Sequence, residues 1–152
     1  MANTELWKAP GLVPCLSFKD VPAAVQWLSR VFGFRERSEA RLSWSGGHLA
    51  WMELGDVLIS LSTEGGHGLQ SPESVAGVSV SFKVYVGDLD QHFQQAKAGG
   101  AVILSEPAHG FWGGRIYRAK DLEGHHWEFS QGGRDLDATL WSLPPGVTRG
   151  AV

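Results

Sequence analysis

At 152 residues, 43% hydrophobic and 11% aromatic, the chain has enough apolar mass for one domain, or for two small halves sharing a core, and it predicts a compact globule. Thirteen basic and sixteen acidic side chains give a formal charge of -3 with no run of five like charges, which argues against a nucleic-acid partner. Apolar stretches fall far short of the ~18 residues that span a bilayer. MANTELWKAPG carries neither a basic leader nor an apolar signal core, and Cys15 alone excludes an internal disulfide and a multi-cysteine zinc site, so the expected compartment is the cytoplasm.

Residues 1–10, with Trp7 and Pro10, show no period and read as an arm. Residues 12–19 alternate as a strand, with Leu16 and Phe18 on one side and Val13, Cys15 and Ser17 on the other; Pro14, which cannot donate to a ladder, places it at an edge. Asp20 is a helix cap, and Val21, Ala24, Val25, Leu28, Val31 and Phe32 recur at spacings of three and four, which predicts an amphipathic helix closed by Gly33. Three strands follow at 34–40, 42–52 with a Gly46-Gly47 turn, and 57–61 after Gly55-Asp56. Residues 62–77, rich in glycine and serine, read as a flexible connector.

The same order then repeats. Asp20 is answered by Asp88, Val25 and Leu28 by Phe93 and Ala96, Gly33 by Gly99-Gly100, Gly46-Gly47 by Gly113-Gly114, and Gly55 by Gly124. The offsets of 67 to 69 residues, read from these pairs, mark a duplicated unit. The fold class is α+β, two tandem βαβββ modules at 11–61 and 78–131 forming an open cleft within a single domain, 11–131. Residues 132–152, with Leu140, Trp141 and Pro144-Pro145, form a tail outside the repeat.

The stretch Asp121-Leu122-Glu123-Gly124-His125-His126-Trp127-Glu128-Phe129-Ser130 reads as a turn feeding a strand. On a period of two, Trp127 and Phe129 share one face and His126, Glu128 and Ser130 the other, so an imidazole and a carboxylate lie opposite two aromatics. With a Val84-Tyr85-Val86-x-Asp88 strand and a Gly99-Gly100-Ala101 helix exit before it, this sequence resembles the vicinal oxygen chelate superfamily, which includes glyoxalase I, bleomycin-resistance proteins and ring-cleaving dioxygenases. The resemblance spans residues 11–131 and implies paired modules around a cleft, often in a dimer with exchanged halves.

Metal-binding members of that superfamily place ligands in the first and last strands of each unit. Here the resemblance assigns those positions to Val13, Ser81, Ile59 and Glu128, of which only Glu128 is a strong cation ligand; a catalytic site normally needs about three. No cofactor is therefore expected, and a divalent Zn, Ni, Mn or Fe bound through Glu128, with His126, Ser81 and water, is the alternative. Parity puts Ser81, Lys83 and Tyr85 toward the cleft and Val80, Phe82, Val84 and Val86 under the helix. Trp44, Trp51, Trp112 and Tyr117 lie on or near the long hairpins, where flat rings can sandwich a planar ligand for about 0.5–1.5 kcal/mol per aromatic pair. Gly110-Phe111-Trp112-Gly113-Gly114-Arg115 lacks the Lys-Ser/Thr of a phosphate loop and reads as a hairpin loop whose Arg115 can hold an anion. The expectation is a homodimer that binds a small planar or aromatic organic molecule, for instance an antibiotic or toxic metabolite. The alternative is a lyase, isomerase or dioxygenase-like enzyme with Glu128 as ligand or base and His126 or Tyr117 as its partner.

Overall fold

The structure is a computed structural model that describes residues 8–150, which fall into two compact units meeting in sequence at Ala76 and Gly77. Most of the predicted arm, Trp7 included, lies outside the described residues, as do the last two residues of the tail.

In the first unit, β1 (Cys15–Phe18) leads into α1 (Val21–Phe32), followed by β2 (Arg35–Glu36), β3 (Leu42–Trp44), β4 (Gly47–Leu54) and β5 (Val57–Thr63). Strand pairing at β1 starts only after Pro14, three residues past the Leu12 where the alternation begins. Asp20 caps α1 by accepting from the Ala23 N–H at 3.0 Å, and Gly33, at φ 80°, ends it in the left-handed conformation. All six residues of the predicted apolar face of α1 are buried. They rest on Leu16 and Phe18 of β1 and their same-face neighbours, including Ala50, Met52 and Leu61, each burial stabilising by roughly 1.5–3 kcal/mol for the larger side chains. The strand predicted over 34–40 is only two residues long. Arg41 grips Glu36 through Nε and Nη2 at 2.6 and 2.9 Å, and the chain doubles back through a 3-10 turn, Ser38–Ala40.

The sheet runs β1-β5-β4-β2, with β3 also paired to β4; β1 and β5 are parallel and the rest antiparallel. The segment read as a flexible connector is ordered instead. The Glu64 carboxylate accepts from the Ser71 N–H at 2.9 Å and from the Ser74 hydroxyl at 2.8–2.9 Å, fixing the short α2 (Pro72–Val75). These bonds hold its carboxyl below the usual range.

The second unit repeats the plan with β6 (Ser81–Tyr85), α3 (Leu89–Ala98), β7 (Val102–His109), β8 (Arg115–Lys120) and β9 (His126–Gln131), in the order β6-β9-β8-β7. Asp88 caps α3 through the Gln91 N–H at 3.0 Å, as Asp20 does α1. Val84 is buried as expected, but Val80 precedes the strand and is exposed.

Register refines the repeat. Cys15 pairs with Ser60 in one parallel ladder and Lys83 with Glu128 in the other, so the offset at both strands is 68. The counterpart of Glu128 is therefore Ser60 and not Ile59, which lies opposite Met52 on the helix-facing side, fully buried. A one-residue drift in the glycine pairs was enough to invert that side chain's face.

Candidate functional site

The turn before β9 is built around one carboxylate. Asp121, nearly buried, accepts the backbone N–H groups of Glu123 and His125 on Oδ1 at 3.0 and 3.1 Å, and the Trp127 indole N–H on Oδ2 at 3.0 Å. His125 Nδ1 lies within 3.0 Å of the same group, and the Asp121 N–H closes the loop on the His125 carbonyl. The conspicuous Asp-x-Glu-Gly-His-x-Trp signature thus sets the entry angle of β9. The candidate chemical groups lie one step on, at His126 and Glu128.

On the sheet face opposite α3, three cross-strand rows follow from the register: Lys120, His126 and Ser81; Arg118, Glu128 and Lys83; Ile116, Ser130 and Tyr85. Glu128 receives Arg118 Nε at 2.9 Å and has the Lys83 ammonium at 3.9 Å. Its side chain is 19% exposed, against 39% for Lys83 and 44% for Arg118. Lys83 also sits 4.5 Å from the centre of the Trp112 ring, and the Arg134 guanidinium lies 5.1 Å from that of Tyr85. His126, Glu128, Ser81, Lys83, Tyr85 and Trp112 are thus brought together.

Within the second unit, two expected members are not among them. Tyr117, fully buried, lies opposite Phe129 on the helix side, stacked on that ring and 2.6 Å from His92 Nδ1 of α3. Burial pushes its phenol well above the ordinary value, so it neither faces Glu128 nor exchanges protons there. Arg115 has the same parity and grips Asp90 of α3 with Nη1 and Nη2 at 2.9 Å each. This bidentate pair lowers the Asp90 carboxyl and raises the guanidinium. The arginine that the register sets beside Glu128 is Arg118. In the first unit, Trp51 shares the uncovered face with Ser60 and Cys15, while Trp44, on the β3 hairpin, is 54% exposed.

Trp112 is held by glycines. A Cβ on Gly110, Gly114 or Gly133 would come within 2.1 to 2.7 Å of its ring, so the indole fills space that only glycine leaves open. Phe111 packs edge-on against Trp112 and Trp141, and its carbonyl accepts the Ser142 N–H at 2.9 Å. The predicted tail therefore docks on the β7–β8 loop.

A separate depression of about 540 Å³ lies by the β4–β5 turn, bounded by residues 8–11, Arg37, Glu53 and Leu58. None of the predicted site residues lines it. Burial pushes the Glu53 carboxyl up, but Arg35 and Arg37, both bonded to it, outweigh that and hold it below the usual range. Its acid is therefore already paired.

Residues 13–129 match the model of the Glyoxalase/Bleomycin resistance protein/Dioxygenase superfamily. The chain belongs to this superfamily. Among solved structures, TioX from Micromonospora sp. ML1 is 33% identical at a TM-score of 0.64, over 81% of this chain and 96% of that one. Glyoxalase I from Zea mays shares the fold at 18% identity and a TM-score of 0.65, over 80% of this chain and 44% of the maize chain. An uncharacterised protein of Mycobacterium tuberculosis is 27% identical over 135 residues, 84% of this chain and 78% of that protein.

The metal chemistry known in the superfamily finds a poor donor set here. At the register positions, Glu128 is the one carboxylate, its counterpart is Ser60, and no three of His, Cys, Asp and Glu converge among the described residues. A divalent cation at Glu128 would have to displace Arg118 and approach the Lys83 ammonium. Titrating chelator-stripped protein with Zn²⁺ or Ni²⁺ is expected to give no stoichiometric heat that Glu128→Ala removes; such a heat would reinstate Glu128 as a ligand.

Proposed function

We propose that the chain is a binding protein for a small planar or aromatic organic molecule, held on the uncovered face of the second unit's sheet without a catalytic metal. Sequestration of an antibiotic or toxic metabolite would follow from binding alone, and the working form is a homodimer. The observation that carries this reading is the flanking of a polar, hydrogen-bonding row by two aromatic-cation pairs, Trp112 with Lys83 and Tyr85 with Arg134. Flat ligands suit such a frame, because ring faces give contact area at little conformational cost while the row orients polar substituents.

A thermal-shift screen of planar natural products tests it. Hits at ~100 times their dissociation constant should add about 2.7 kcal/mol of stability, and Trp112→Leu should weaken them at least tenfold. A screen with no hit, or hits indifferent to Trp112, would sink the reading; sedimentation of the purified chain checks the dimer.

The enzymatic reading keeps one supporting observation. His126 and Glu128 share the uncovered face two residues apart. Glu128 as a base must first leave Arg118, so Glu128→Gln should abolish turnover of any identified substrate while sparing the fold. Unchanged turnover removes this role.

A further inference from the structure

We infer that the ligand of the second unit's uncovered face is an aromatic anion, a flat ring system bearing a carboxylate or similarly delocalised oxyanion. This rests on the reading of that face as a small-molecule site and adds the charge of what binds there.

The chain as a whole is acidic at -3, yet this face carries Lys83, Arg118 and Lys120 against the single carboxylate of Glu128. The balance is that of the sheet's own side chains on this face. On β7, Val102 lies opposite Lys120, Ser105 opposite Arg118 and Ala108 opposite Ile116, so the adjoining strand pairs no acid with this side. The nearby acids face elsewhere: Glu106 meets Lys97 of α3, and Asp90 is taken by Arg115.

The cations are also incompletely used. Arg118 gives Nε to Glu128, and its other guanidinium N–H groups have no partner among the described residues, with the side chain 44% exposed. Lys83, at 3.9 Å, is too far from Glu128 for a hydrogen bond and lies over the Trp112 ring. Lys120 has no carboxylate partner among the described residues. A fork with free N–H groups beside an ammonium fits a planar oxyanion, and the indole and the Val102 edge fit the ring that carries it. Glu128 then fixes the fork's orientation and sets the one place where a ligand acid is repelled.

The probes are naphthalene-2-carboxylate and naphthalene-2-carboxamide, which share shape and differ by one charge. Each is titrated into the full chain at low salt while the tryptophan indole N–H resonances are followed. The carboxylate should bind about tenfold tighter, and added salt should erode that margin. Arg118→Gln and Lys120→Gln should each weaken the carboxylate by about threefold to tenfold and leave the carboxamide unchanged. Equal binding of the two probes, or a carboxylate preference indifferent to both substitutions, overturns the inference while leaving an aromatic site. If neither probe shifts an indole and Arg118→Gln instead dissociates a dimer, a second copy of the chain covers this face, and the small-molecule reading falls with the inference.

Discussion

Asp121→Ala is expected to lower stability by about 3–5 kcal/mol, the largest effect of any polar substitution in the chain. The cause is the convergence of two backbone N–H groups, an indole N–H and an imidazole nitrogen on one nearly buried carboxylate. Removing it leaves those donors in a water-poor turn, each lost partner costing about 1–3 kcal/mol before relaxation. In a domain of this size the melting temperature should fall by roughly 10 °C. Asp121→Asn separates the contributions. The amide oxygen can still accept from Glu123 and His125, but the amide NH₂ then meets the Trp127 N–H, donor against donor, so an intermediate loss is expected. A loss under about 1 kcal/mol for Asp121→Ala would show that the turn does not depend on this carboxylate.

Gly114→Ala should dislodge Trp112 and with it the aromatic side of the site. The new methyl would stand 2.6 Å from the Gly132 carbonyl oxygen and 2.7 Å from Trp112 Nε1. Backbone yields little, so the indole moves, at a cost of about 1–3 kcal/mol typical of overpacking. The expected signs are a red-shifted tryptophan emission and at least a tenfold loss of affinity for an aromatic probe. Gly113→Ala is the control: its φ of 93° strains any side chain, but a methyl there meets nothing within 4 Å. It should cost about 1–2 kcal/mol and leave probe binding unchanged. Equal loss of binding in both variants would mean that loop strain, not the indole, governs the site.

The fold was readable because its signals are local and repeated. The six-residue face of α1, the paired aspartate caps and the alternation along β6 and β9 each follow from a period that one segment carries by itself. What could not be read was any feature set by pairing between strands. The face presented by β8 depends on its registration with β9 and on a β7 ladder broken by two irregularities, so Tyr117 and Arg115 were expected on the side that Arg118 and Lys120 occupy. Counting back from Glu128 along the antiparallel ladder would have found Arg118, given the turn length. The role of Asp121 was hidden for another reason: an aspartate in a glycine turn looks alike in sequence whether it accepts one hydrogen bond or four.

The parallel closure of each unit has a consequence for how the chain comes to be made. A first strand that pairs with the last cannot be satisfied by anything synthesised in between, and β6 waits for β9, Ser81 for His126, across 44 intervening residues. At about 5–20 residues per second on a ribosome, that is a delay of several seconds. During it a strand with Phe82 at its second position, and Val80 just before it, stands unpaired. The first unit has by then received β5 and can close on its own β1. Order of emergence therefore leaves each unit open until its last strand arrives, and pulse-labelled nascent chains truncated before His126 should bind chaperones more strongly than full-length ones.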